Sequence, residues 1–294
     1  MKLQGILASV ATPFDHTGAI YRVKVQHNFE KWCRTALAGF VVGGLAGEGP
    51  LLTAEEKLEV VRLAAPITGD SRVLILDVSS DGVHNAVSLS VSAAEAGAQA
   101  VVSTPPFRYR ETNQAASAQT TYFRALADRS PVPVLVHNSP SGTGVDLSAA
   151  TIAELANHPN IVGVIESGTP SERIREIRAL VGKGFAILSG TDGQFWDGLK
   201  AGANGGALTT ASAAPYAAIA IWEAFRTREE EAGIDWQARI AHPSHLVTSV
   251  EGPAGLKYAM DLNGYYGGPP RLPYAPPTPD AKVAIEDAFR DIKG

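Results

Sequence analysis

The sequence predicts an α/β chain folded as a (β/α)8 TIM barrel with a C-terminal helical extension, on three observations. Eight short apolar segments alternate with eight helical ones. The connections between them are short. The chain, with 294 residues of which 45% are hydrophobic and 19% charged, is long enough for one such barrel with additions. A doubly wound open sheet is the competing arrangement.

In chain order the strand segments are GILASVA (5–11), GFVVGG (39–44), RVLILDV (72–78), AQAVVS (98–103), VPVLVH (132–137), NIVGVIE (160–166), FAILSG (185–190) and NGGALT (204–209). Near-continuous apolar runs of this length suit strands covered on both faces. Helices are expected near 23–38, 53–66, 83–96, 114–129, 148–156, 171–181, 193–201 and 215–227. Thr53-Ala-Glu-Glu56 reads as a capping box, and Gly39, Gly97 and Gly202 stand where left-handed helix ends are expected. Residues 1–214 are read as the barrel core. Residues 215–294 supply the last barrel helix and the extension of the same domain, with a proline-rich extended stretch at 264–279 and a final helix at 280–292.

The net charge of −5 and the lack of a long basic run argue against nucleic acid or an anionic membrane as partner. A single cysteine, Cys33, forms no intrachain disulfide and fits a reducing cytoplasm. No apolar run is long enough to span a bilayer. The N-terminal MKLQGILASVATPF, with one lysine and no clear cleavage site, is read as the first strand rather than a signal peptide.

In such barrels chemistry sits where strands end and βα loops begin. There the sequence carries Thr12-Pro13-Phe14, Gly44-x-x-Gly47-Glu48, Thr104-Pro105, His137-Asn138-x-Pro140-x-x-Thr143-Gly144-Val145-Asp146, Gly163-x-x-Glu166, Ser189-Gly190-x-Asp192 and Gly202-Ala203-x-Gly205. In order and spacing these resemble the dihydrodipicolinate synthase / N-acetylneuraminate lyase family, from about residue 5 to Arg271-Leu-Pro273. The resemblance implies a lyase acting on a 2-oxo acid through a lysine imine on the sixth strand. It also implies a proton-shuttling tyrosine on the fifth strand and a hydroxyl pair after the second. A homo-oligomer, commonly a tetramer, is implied as well.

At those positions this chain differs. The lysine falls on Ile165, the tyrosine on His137, the hydroxyl pair on Leu45 and Ala46, an arginine before Thr143 on Gly142, and a second tyrosine on Phe107. None of the nine lysines (Lys2, Lys24, Lys31, Lys57, Lys183, Lys200, Lys257, Lys282 and Lys293) is expected at a strand's C-terminal end. A family-type imine is therefore not expected.

His137 is the candidate acid/base, because imidazole titrates near neutral pH; a histidine that only holds a loop is the alternative. Thr143 and Thr209 are candidate hydroxyl donors to a ligand carboxylate, and Arg108 or Arg110 a candidate clamp for it, against solvated loop arginines. Leu45, Ala46, Ile165 and Phe107 are expected to line the pocket. Glu48, Glu166 and Asp192 are read as supports, Glu166 because it neighbours an inward Ile165 on one strand. His242 and His245 have a metal-like spacing but a proline between them and no third ligand, so no metal and no cofactor is expected. The expected ligand is a small carboxylic acid, turned over by a lyase or hydratase without an imine. The alternative is a silent member that binds a metabolite or pairs with an active paralogue.

Overall fold

The computed structural model describes residues 3–112, 115–168 and 170–292. Lys2, Lys293 and the expected start of the fourth helix at 114 lie outside the described residues. Eight parallel strands close in chain order, β8 pairing back to β1. They are β1 (Gly5–Ser9), β2 (Gly39–Val42), β3 (Val73–Asp77), β4 (Ala100–Ser103), β5 (Val134–Asn138), β6 (Ile161–Glu166), β7 (Ala186–Ser189) and β8 (Gly205–Leu208).

Alternation along each strand divides the apolar side chains into two cores. Leu7, Val41, Ile75, Val102, Leu135, Ile165 and Leu188 fill the barrel interior. Ile6, Phe40, Leu74, Val101, Val136 and Val164 face the surrounding helices. The helices are α1 (Arg22–Trp32), α2 (Ala54–Thr68), α3 (Val83–Ala96), α4 (Ala115–Ala127), a single turn α5 (Pro140–Thr143), α6 (Ala149–Leu155), α7 (Pro170–Leu180), α8 (Phe195–Lys200) and α9 (Pro215–Thr227). The extension adds α10 (Glu230–His245), which runs into a π-helical turn at Leu246–Val250, then α11 (Gly252–Leu262) and α12 (Pro279–Phe289).

Two local expectations are corrected. Helix α1 stops at Trp32 rather than 38, because Thr35 turns its hydroxyl back to the Trp32 carbonyl (2.7 Å) and competes with helical continuation. Gly39 is a strand residue rather than a helix cap. A Cβ there would meet the Val73 carbonyl oxygen at 2.3 Å, so glycine is what lets β2 approach β3. At Gly97 and Gly202 the backbone does take positive φ (106° and 110°).

The stretch after α11 is tied to the barrel by its backbone. Asn28 holds both the N–H and the C=O of Tyr266 at 2.8 Å. Arg271 donates to both oxygens of Glu56 (2.9 and 2.6 Å) and to the Gly18 and Leu51 carbonyls. Glu56 is also the second half of the capping box with Thr53. Chiefly through the Arg271 hydrogen bonds its pKa falls to about 2, below its unfolded value near 4.5. This contribution to stability is present above pH 4.5 and is lost as pH falls toward 2. We expect Glu56→Gln to flatten the acid limb of a stability-versus-pH curve in that window and leave its neutral plateau lower. An unchanged acid limb by urea titration would refute the assignment.

No described helix is long and apolar enough to cross a membrane.

Candidate functional site

The inward residues at the C-terminal ends of the strands form the floor of a cavity of about 460 Å³. Ser9, Asp77, His137, Ile165, Ala207 and Thr209 come from five strands or the residue just after one. Leu45, Ala46 and Gly47 form one wall, and the end of α10 with the π turn forms the roof. His137 and Ile165 thus share the cavity, as expected, and they are register partners across β5 and β6. Ile165 is 3% exposed. Among the described residues neither lysine nor arginine lines this cavity; its ionisable groups are Asp77, Asp192, His137 and His245.

His137 Nε2 lies 3.1 Å from the Ser167 hydroxyl. Burial pushes its pKa below the ordinary imidazole value, with the Asp77 carboxylate opposing in part. The ring is therefore neutral at neutral pH, so it can accept a proton. Ser167 is held in turn by close packing. A Cβ at Gly190 would sit 2.0 Å from its hydroxyl oxygen and 2.9 Å from Ile165 Cγ2. We expect Gly190→Ala to displace Ser167 from His137, costing ~1–3 kcal/mol of stability as overpacking does. A crystal structure of that variant with the Nε2···Oγ contact intact would contradict this.

The residues facing outward from the same strand ends hold the loops. The Asn138 side chain donates to Glu166 Oε2 (2.9 Å) and Asp146 Oδ1 (3.0 Å), and its Oδ1 accepts from the Leu147 N–H (2.9 Å). Glu166 also accepts from the Gly168 N–H (2.7 Å). Its burial raises its pKa against those hydrogen bonds. It stands on the opposite face from Ile165, as strand alternation requires. Asp192 accepts from the Thr209 and Thr210 N–H groups (3.2 and 2.7 Å) and joins the seventh loop to the eighth; burial raises its pKa too. Glu48, in a left-handed backbone conformation (φ 56°), pairs with Lys257 and accepts the Arg271 N–H.

Other expected contacts lie elsewhere. Thr143 does not line the cavity: its hydroxyl serves the Ser139 and Val145 carbonyls (2.9 and 3.2 Å). Phe107, Arg108 and Arg110 are outside as well, because Asp81 captures their loop. Its carboxylate accepts the Phe107 and Arg108 N–H groups (2.8 and 2.9 Å) and pairs with Arg108 Nε at 3.1 Å. The Arg110 guanidinium turns to the Phe107 carbonyl and lies against Gly144. Among the described residues no lysine belongs to a strand, but two extend their side chains to strand ends. Lys57 on α2 donates to the Asp77 carbonyl at the end of β3 (3.2 Å), and Lys257 meets Glu48 beyond β2. Their four-carbon stems carry the ammonium in from helices; neither lines the cavity.

Three residues to which sequence reasoning gives no role in the site line the cavity: Asp77, Ser167 and His245, the last at the roof. The first two were legible. Asp77 shares the parity of Val73 and Ile75, and Ser167 that of Ile165, which fixes their direction. His245 depends on how the extension folds back, for which the local pattern carries no signal. Among the described residues no three His, Cys, Asp or Glu side chains come together as a metal set.

A sequence model of the dihydrodipicolinate synthetase family matches residues 2–292. A 4-hydroxy-tetrahydrodipicolinate synthase of Exiguobacterium is 28% identical, the alignment covering 98% of this chain and 97% of the relative. One from Xanthomonas campestris is 33% identical, covering 94% and 90%. The crystal structure of a dihydrodipicolinate synthase from Bacillus anthracis superposes over the whole of both chains with a TM-score of 0.94 at 25% identity.

Proposed function

The chain belongs to the dihydrodipicolinate synthetase family, a family of lyase-type barrel enzymes, and from that premise we propose that it is a lyase or hydratase acting on a small 2-oxo or hydroxy acid by acid/base chemistry without a lysine imine. The observation that carries this reading is the pairing of His137 with Ile165 on the cavity floor: a neutral imidazole beside a hydrocarbon where the family resemblance puts an amine. In this scheme His137 Nε2 takes a proton from the carbon next to the ligand's carbonyl, and the electron pair moves onto the carbonyl oxygen. The Ser167 hydroxyl, already on Nε2, relays that proton onward. In a hydratase step the pair returns and expels the hydroxyl on the next carbon, which takes the relayed proton and leaves as water. In a lyase step Nε2 instead takes the proton of that hydroxyl, the carbon–carbon bond breaks with its pair moving onto the carbonyl oxygen, and the proton returns to the carbon so released. The homo-oligomer, a tetramer by resemblance, and the cytoplasmic setting belong to the same reading; light scattering on the purified protein checks the first.

Pyruvate with borohydride should leave no adduct detectable by mass spectrometry, because an imine needs an amine at the cavity. A pyruvyl group mapped to any lysine would overturn the proposal. In parallel, small 2-oxo and hydroxy acids are screened by thermal shift, and the binders are followed by NMR in deuterated water. Exchange of the proton next to the carbonyl supports turnover; binding without exchange would place the chain with the silent, metabolite-binding members instead.

A further inference from the structure

The cavity has an unusual charge balance. Two carboxylates and two imidazoles line it and, among the described residues, no cation. Asp192 is committed to two backbone N–H groups. Asp77 is not fully committed. It is 7% exposed, at the end of β3, with the inward parity of Val73 and Ile75. Its Oδ1 accepts the Ser79 N–H at 2.8 Å, and its Oδ2 lies beside Gly44, where even an added Cβ would stand 3.4 Å away. A carboxylate oxygen that opens onto a cavity from a largely buried residue is an acceptor for a donor held there. Lys57 sits near but donates to the Asp77 backbone carbonyl, not to its carboxylate. Ser9, Ser139 and Thr209 add hydroxyls to the cavity lining, which can serve either as donors or as acceptors.

We infer that Asp77 is a specificity-determining residue: its free carboxylate oxygen receives a hydroxyl of the ligand, and its charge, in a cavity whose described lining holds no cation, limits the ligand to a single carboxylate. The inference rests on the proposed action on small acids and narrows it to monocarboxylates that carry a hydroxyl beyond C2, as glycerate does and lactate does not. Dicarboxylates are disfavoured because a second anionic group would enter a cavity that already holds two carboxylates. A charged acceptor bonds a hydroxyl about twice as strongly as a neutral one, so the preference should respond to removal of the charge alone.

The test compares glycerate, lactate, malate and serine by calorimetry against the full-length protein and Asp77→Asn, with glycerol as a probe that has hydroxyls and no carboxylate. Asparagine keeps an oxygen for the Ser79 N–H, so the loop is retained. The wild type should bind glycerate at least tenfold more tightly than lactate or malate, and Asp77→Asn should reduce both ratios at least fivefold. If serine outranks glycerate and loses that advantage in Asp77→Asn, the donor is an ammonium and the hydroxyl assignment is overturned. Unchanged ratios in Asp77→Asn overturn the specificity role. If no acid binds, the proposed action on small acids fails by itself. Asp77 is then decided by glycerol in soaked crystals: glycerol hydrogen-bonded to Oδ2 in the wild type and weakened or absent in Asp77→Asn supports the inference, and its absence from the wild type refutes it.

Discussion

Lys257→Met should destabilise the protein by about 3–5 kcal/mol, the usual cost of removing one partner of a buried ion pair. The Lys257 and Glu48 side chains are each only 1% exposed, with Nζ and Oε1 2.5 Å apart. Lys257 also donates to the Pro269 carbonyl (3.0 Å) and lies 4.1 Å from the centroid of the Phe14 ring, on which Arg271 stacks at 4.3 Å. Methionine fills most of the volume but leaves the Glu48 carboxylate buried with only the Arg271 N–H on its other oxygen. The double variant Lys257→Met with Glu48→Gln should therefore recover part of the loss, since no uncompensated charge remains. Urea unfolding at neutral pH measures both.

A second signature concerns pH. Burial lowers the Lys257 pKa to about 8, with Glu48 opposing, against 10.5 for an unburied lysine. Between those values the unfolded chain binds the extra proton, so the contribution of this group to stability rises with pH from about 8 to about 10.5. That slope should vanish in Lys257→Met. A variant as stable as the wild type would show that the pair is dispensable. The loop it holds also matters for the site, because Glu48 directly follows the cavity residues Leu45, Ala46 and Gly47.

The barrel was legible because two independent patterns agree. Strand segments such as VLILD and AILS are too apolar for any one-sided sheet, and the capping box at Thr53 marks a helix start by its own chemistry. The floor of the site followed from the same alternation, which fixes Ile165 inward and Glu166 outward. The walls did not follow. Whether Arg108 and Arg110 reach the cavity depends on Asp81, more than twenty residues earlier and on a different loop, and a sequence pattern holds no record of which charge captures which. Thr143 was equally ambiguous, because a threonine hydroxyl serves a ligand or a neighbouring carbonyl with the same ease, and here two carbonyls lie within reach. The helical positions of Lys57 and Lys257 were legible, but a position on a helix does not say where a long, flexible side chain delivers its charge.

His137→Asn should lower the rate of proton exchange at the ligand carbon by 10²–10⁴-fold, the range that a positioned general acid or base contributes. Binding of the same ligand should change by less than tenfold, because asparagine keeps a polar group toward Ser167 and leaves the floor formed by Ile165 and Ala207 in place. The separation of rate from binding is what distinguishes a proton carrier from a histidine that only supports the loop; a loop role would weaken both together. The pH profile supplies an independent check. Because burial holds His137 below the ordinary imidazole pKa, the neutral, proton-accepting form persists into mildly acidic solution. The acid limb of the rate should therefore lie below pH 6.5. Asp77 opposes that shift, since its negative charge favours imidazolium. Asp77→Asn should accordingly move the limb to still lower pH, while Asp192→Asn should leave it nearly in place, because the Asp192 carboxylate is spent on the Thr209 and Thr210 N–H groups. An acid limb at or above pH 6.5, or one that stays fixed in Asp77→Asn, would mean that a different group carries the proton.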